Sequence, residues 1–159
     1  MLLLVAAGCT SSTYERTQFG VKLQSDSARI EVQFYSPTIV RVLKYPTDSV
    51  PQKNSLSVVM SPEPSAFQVE EDGHVLTLTT DSIQVRVDTN TGRLSFTHAD
   101  GHLLLQEKEA TSRFSPFDDA GESTYTVSQK FALDANESIY GLGILQNGNM
   151  SQRNQTVRM

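Results

Sequence analysis

Residues 66–105 read AFQVEEDGHVLTLTTDSIQVRVDTNTGRLSFTHADGHLLL. Through this stretch apolar and polar side chains alternate in short runs rich in Val, Leu, Ile and Thr. Successive side chains of an extended strand face opposite ways, so such alternation marks strands buried on one side only. Between the runs stand Asp72-Gly73, Thr91-Gly92 and Asp100-Gly101, dipeptides suited to tight turns because glycine adopts positive φ without a steric penalty. The stretch therefore reads as an antiparallel meander. Val75, Leu76, Leu78, Ile83, Val85, Val87, Leu94, Phe96 and Leu103 to Leu105 are its expected inward positions.

The same pattern extends toward the N-terminus. VKLQS alternates Val21 and Leu23, and RIEVQFYS alternates Ile30, Val32 and Phe34. Pro37 marks a turn before TIVRVLKYP, in which Val40 and Val42 face away from Ile39 and Arg41, and Pro46 ends the run. Residues 46–55 and 111–123 (TSRFSPFDDAGES) read as loops, and 124–133 (TYTVSQKFAL) as another strand. No run of about ten residues keeps a helical period, so no long helix is expected. Short strands at regular turn spacing indicate an all-β fold, an antiparallel β-sandwich with more than half of its ordered residues in strands.

A chain of 159 residues is one domain with a possible tail, long enough to bury a core without disulfides or a metal. The net charge is −5 and no Lys/Arg cluster occurs, which argues against a nucleic-acid partner, since phosphate binding needs a basic patch. Trp is absent, leaving 5 Tyr and 7 Phe as the aromatic platforms on which a sugar could stack.

The single cysteine, Cys9, stands in MLLLVAAGCTSS, an apolar run followed by small residues and a polar patch. This resembles a bacterial lipoprotein signal, in which the cysteine is lipidated and becomes the mature N-terminus. The basic segment that opens such signals is missing, so on this reading the true start is expected upstream; Ala6 stands three before the cysteine where a larger aliphatic is usual. The other reading is a buried N-terminal strand with an incidental cysteine. The lipoprotein reading predicts a bacterial envelope protein, periplasmic or surface-exposed, held to the membrane by lipid alone. Residues 1–16 are then signal remnant and polar linker, and 17–159 the sandwich. The apolar run is too short for a transmembrane helix, which needs about 20 residues.

Few residues suggest chemistry. His74, His98 and His102 sit beside turn residues, and His98 and His102 are separated by a turn rather than a helical step, so they read as solvated rather than metal-binding. Asp118-Asp119 could bind a cation or act as paired carboxylates, but with Ser115 and Gly121 nearby an Asx-type loop is the simpler reading. No nucleophile motif, phosphate loop or metal-spaced Cys/His set is present, and no cofactor is expected. The tail, ILQNGNMSQRNQ, offers Gln146, Asn147 and Arg153 as planar donors to sugar hydroxyls. The same segment also reads as a hairpin turned at Asn147-Gly148, and the two readings are compatible.

Four stretches, ARIEVQFYSPTIVRVLKYP, VDTNTGRLSF, DGHLLLQE and FALDANESIYGLGILQNGNMSQRNQTVRM, together resemble the N-terminal region of glycoside hydrolase family 31, most closely its bacterial α-xylosidase-type members. The likeness covers about residues 17 to 159 and is most specific in the tail, where IYGLG is followed by Gln, Asn-Gly, Met and Arg. It implies a galactose-mutarotase-like β-sandwich preceding a (β/α)₈ barrel, which carries the two aspartates of a retaining α-glycosidase. No residue of this sequence matches either aspartate, so no catalytic residue is expected here, and the chain reads as a sandwich cut off before the barrel. The implied partners are that barrel and an α-linked oligosaccharide or xyloglucan-type glycan. Phe117 and Asp118 in the second loop, with Gln146, Asn147 and Arg153 in the tail, are the candidate substrate-facing residues, Phe117 being a possible stacking surface. A stand-alone carbohydrate-binding or adhesion sandwich on a surface lipoprotein is the alternative.

Overall fold

The computed structural model of the chain describes residues 13–50, 55–109, 112–141 and 148–156. Among them are the strands β1 (Tyr14–Arg16), β2 (Gly20–Gln24), β3 (Arg29–Ser36), β4 (Ile39–Tyr45), β5 (Gln68–Asp72), β6 (Val75–Thr79), β7 (Ile83–Asp88), β8 (Leu94–His98), β9 (Leu103–Gln106), β10 (Arg113–Asp119) and β11 (Glu122–Ser128). No helix is present among these residues, and strands make up about 48%, slightly short of the expected majority. Neighbours in sequence are neighbours in space: β1-β2-β3-β4 form one sheet, β5-β6-β7-β8-β9 a second, and β10-β11 a two-stranded third. All pairings are antiparallel.

Register turns the alternation into a core. Val21 lies opposite Val32, which lies opposite Val42, while Leu23 pairs with Ile30 and Phe34 with Val40. In the second sheet Leu76, Val87 and Leu94 align across three strands, as do Leu78, Val85 and Phe96. These two rows face each other in one buried cluster that also holds Phe67, whose ring lies 5.4 Å from that of Phe34. The inner faces of both sheets are thus a single dry layer, as a sandwich requires. Each fully buried side chain contributes about 1.5–3 kcal/mol relative to exposure.

Glycine shapes the sandwich at two points. A Cβ on Gly20 would stand 1.9 Å from the Val32 carbonyl oxygen, so β2 can begin against β3 only without a side chain. At Gly92 the backbone has φ +70, and a Cβ would meet Ile30 Cδ1 and Ser25 Oγ, each at 2.8 Å. The β7–β8 turn is further held by Asp88, whose Oδ1 accepts the N–H groups of Asn90 (3.1 Å) and Thr91 (2.8 Å). The Thr91 bond is the main reason the Asp88 carboxyl lies below its ordinary pKa.

Four expectations need correction. Residues 14–16, read as linker, form β1 against β2. Residues 111–123, read as a loop, supply β10 and the start of β11. Val75 shares its strand face with Thr77 and Thr79, on the side opposite Leu76 and Leu78. Leu103 and Leu104 are each 51% exposed and Leu105 40%, on a β9 that is the edge strand of its sheet among the described residues.

One polar pair lies inside. Lys44 pairs with Ile30 on the inner face of β4, and its Nζ reaches both Glu107 oxygens at 2.7 Å with side-chain exposures of 7% and 6%. Burial lowers the Lys44 pKa, against the opposing pull of Glu107.

Candidate functional site

Phe117 and Asp118 lie in β10, and a strand cannot present consecutive side chains on one face. Across the hairpin, Phe117 is opposite Thr124, and Asp118 is opposite Ser123. Phe114, Pro116 and Asp118 share one face with Tyr125 and Val127, whereas Ser115, Phe117 and Asp119 share the other with Thr124 and Thr126. The candidate pair is therefore split. Phe117 stands 52% exposed on a hydroxyl-lined face, an arrangement able to stack a sugar ring and hydrogen-bond its rim.

Asp118 has a local task instead. Its Oδ1 accepts the Gly121 N–H at 2.9 Å and closes a turn in which Ala120 has φ +53 and Gly121 φ +92. Two consecutive residues of positive φ match the twist of the flanking strands. The Asx reading of Asp118 holds, inside a hairpin rather than a loop.

The apolar face of the hairpin has its own edge-to-face contact, Phe114 against Tyr125 at 6.3 Å. Beyond that it is bare, with Tyr125 39% and Val127 59% exposed. Phe131 and Leu133, which follow the hairpin, are exposed too, as is Tyr140.

At the hairpin base is a cleft of about 350 Å³, lined by Ser27, Glu109, Ser112, Arg113, Phe114, Ser128 and Lys130. Two side-chain bonds cross its walls: Lys130 Nζ to both Glu109 oxygens at 3.0 Å, and Ser112 Oγ to Gln129 Oε1. The Lys130 bond holds the exposed Glu109 carboxyl below its ordinary pKa.

In the tail, Arg153 Nη1 donates to the carbonyl oxygens of Asp134 at 2.7 Å and Glu137 at 2.5 Å. Next to it, buried Gln152 donates its backbone N–H to Ile139 O at 2.6 Å. These bonds fold residues 148–156 back on the 134–139 segment. Arg153 therefore braces backbone. Gln146, Asn147 and Cys9 lie outside the described residues.

The histidines are exposed at turns. His98 Nδ1 lies 3.2 Å from Asp100 Oδ1, and the Asp100 carboxyl is held below its ordinary pKa, chiefly by the His102 N–H. Among the described residues no three His, Cys, Asp or Glu side chains gather as metal ligands.

A family model described as the glycosyl hydrolase 31 N-terminal galactose mutarotase-like domain matches residues 29–159. The chain belongs to this family. An α-xylosidase of Saccharolobus solfataricus is 31% identical over 121 residues, which are 76% of this chain and 16% of that protein. The crystal structure of a family 31 α-xylosidase from Xanthomonas citri superposes with a TM-score of 0.79 at 28% identity, covering 88% of this chain and 16% of that one. A family 31 α-xylosidase from a soil metagenome, solved with xylose, shares the fold with a TM-score of 0.72 at 17% identity over 91% of this chain and 24% of its own. The chain thus spans about a sixth of the curated relative's length.

Within this galactose mutarotase-like domain, sequence reasoning missed the Lys44–Glu107 pair and the amphipathic character of the hairpin. The second had a visible signal: Phe114 and Pro116, then Tyr125 and Val127, each stand two apart. The acidic pair, with Ser115 and Gly121 nearby, concealed it as a loop.

Proposed function

We propose that this domain serves a retaining α-glycosidase of α-xylosidase or α-glucosidase type in carbohydrate degradation. In this reading it packs against a (β/α)₈ barrel of the same polypeptide and helps shape the pocket for an α-linked oligosaccharide or xyloglucan-type glycan. The observation that carries it is the family membership, together with a hairpin whose apolar face, Phe114, Pro116, Tyr125 and Val127, has no cover among the described residues. Exposed apolar area of that kind is costly to leave in water and marks a docking face. The opposite face, with Phe117 among Ser and Thr, and the tail residues Gln146, Asn147 and Arg153 are the proposed glycan-facing groups.

The test is hydrolysis of p-nitrophenyl α-D-xyloside and α-D-glucoside by the complete polypeptide and by residues 1–159. Turnover by the first and none by the second is expected, because the reaction needs two carboxylates about one sugar ring. Glycan binding by residues 1–159 without hydrolysis by any longer form would favour the stand-alone binding sandwich. We also propose that Cys9 is lipidated in a bacterial envelope. Cys9→Ala should then move the full protein from the membrane fraction to the soluble one, and retention in the membrane would refute the anchor.

A further inference from the structure

Glu107 stands where the chain leaves the second sheet. Its backbone N–H donates to Leu94 O at 3.0 Å, continuing the β8–β9 ladder. The return bond does not go backbone to backbone: the Leu94 N–H donates to the Glu107 carboxylate, Oε2, at 2.9 Å. A side-chain oxygen thus occupies the position that a carbonyl holds in a regular ladder. On the side away from Leu94, Glu107 forms an antiparallel bridge with Phe131, whose bonds are made by its neighbours: Lys108 N–H to Lys130 O at 3.0 Å and Ala132 N–H to Gln106 O at 2.8 Å.

These rungs are the neck of the hairpin. Among the described residues β10 and β11 pair with each other and with no strand of the two large sheets, so the rungs at residues 106–108 and 130–132 join the hairpin to the second sheet. The neck is in turn held from across the sandwich. Lys44, on the edge strand of the other sheet, bonds both Glu107 oxygens and also the Gly92 carbonyl at 2.9 Å.

We infer that the buried Lys44–Glu107 pair is a positioning device: it fixes the point and direction at which the Arg113–Ser128 hairpin leaves the sandwich, rather than supplying the stability of the core. A buried ion pair is well suited to this. Replacing both partners with apolar residues commonly preserves or raises stability, whereas an apolar pair loses the directional bonds that define one arrangement. The inference is independent of the glycosidase reading, since its geometry lies wholly within this domain.

The test is hydrogen–deuterium exchange on the full protein, comparing the parent with Lys44→Met/Glu107→Leu and with Glu107→Gln. The double variant takes the acceptor from the buried Leu94 N–H, so its melting temperature should fall, but it should keep core protection in peptides spanning β3, β6 and β7. In peptides spanning 104–109 and 129–133 it should exchange at least about tenfold faster. Glu107→Gln keeps one oxygen for the Leu94 N–H but leaves the buried Lys44 ammonium without a counter-charge, so it should lose more melting temperature than the double variant. Unchanged exchange at the neck in the double variant would overturn the inference. So would a loss spread evenly over the core, or a double variant that does not fold, because the pair would then carry stability instead of placement.

Discussion

The sandwich formed by the first two sheets and the hairpin of β10 and β11 use the same alternating pattern, yet only one of them closes. In the sandwich the inner rows of both sheets meet: Val32 and Phe34 of one and Leu78 and Val85 of the other belong to a single buried cluster. In the hairpin, Phe114, Pro116, Tyr125 and Val127 form an equally regular row, yet Tyr125 and Val127 stay exposed. Alternation specifies that a strand has a face to bury; it does not specify what covers that face. An isolated hairpin is marginal in water, so this one depends on its neck and, in the proposed enzyme, on the barrel.

Core truncation should separate the two regions most sharply. Phe34→Ala removes a fully buried ring that packs on Phe67 and should lower unfolding free energy by about 3–5 kcal/mol. Phe117→Ala on the exposed hairpin face should change it by less than about 0.5 kcal/mol in residues 1–159. Urea denaturation of both variants checks this, and comparable losses would show that the hairpin belongs to the core.

Glycine substitution gives the next largest contrast. Gly92→Ala meets both positive φ and two close neighbours in the core, so a loss of about 2–4 kcal/mol is expected. Gly121→Ala has the same handedness problem with nothing within 4 Å of the new Cβ, and should lose about 1–2 kcal/mol from the conformation alone. Thermal unfolding of the two variants reads the difference; a Gly121 effect as large as that at Gly92 would mean that the hairpin turn is packed after all.

In the tail, Arg153→Ala deletes two bonds to exposed carbonyls and should destabilise residues 1–159 by about 1 kcal/mol or less. In the proposed complete enzyme the same change discriminates brace from ligand. A raised KM at unchanged melting temperature supports glycan contact, and the reverse pattern assigns Arg153 to the scaffold. The smallest effect is at acid pH. Because the folded Asp88 carboxyl lies below its ordinary pKa of 3.8, its contribution is present above that value and fades as pH falls through the depressed one. Asp88→Asn should therefore lose less melting temperature than the parent between pH 5 and about pH 2; equal losses would mean that the turn does not contribute.

Most of the sandwich was legible in the sequence because its signals are local. The turn glycines Gly73, Gly92 and Gly101 all adopt positive φ, and Ile30, Val32, Phe34, Leu76, Leu78, Val85 and Val87 are all buried. Reading failed where the deciding fact was remote. Lys44 and Glu107 are 63 residues apart, and neither breaks the pattern in a way that announces a partner. Three leucines in a row at 103–105 cannot alternate, and their exposure follows from the position of β9 at a sheet edge. Residues 111–123 read as a loop, yet β10 pairs with β11 alone among the described strands, a position where Pro116 is tolerated. At the candidate site, the family resemblance made Phe117 and Asp118 substrate-facing candidates, but adjacency in a strand puts them on opposite faces.

The central claim, that the face formed by the hairpin and its flanks is a docking surface rather than a free one, is tested most directly by hydroxyl-radical footprinting. Leu103, Leu104, Phe114, Tyr125, Val127, Phe131 and Leu133 would be compared in residues 1–159 and in the complete polypeptide. The account predicts strong labelling of these side chains in the short chain and at least about a fivefold drop in the complete one, the scale expected when half-exposed side chains become buried in an interface core. Equal labelling in both would contradict it.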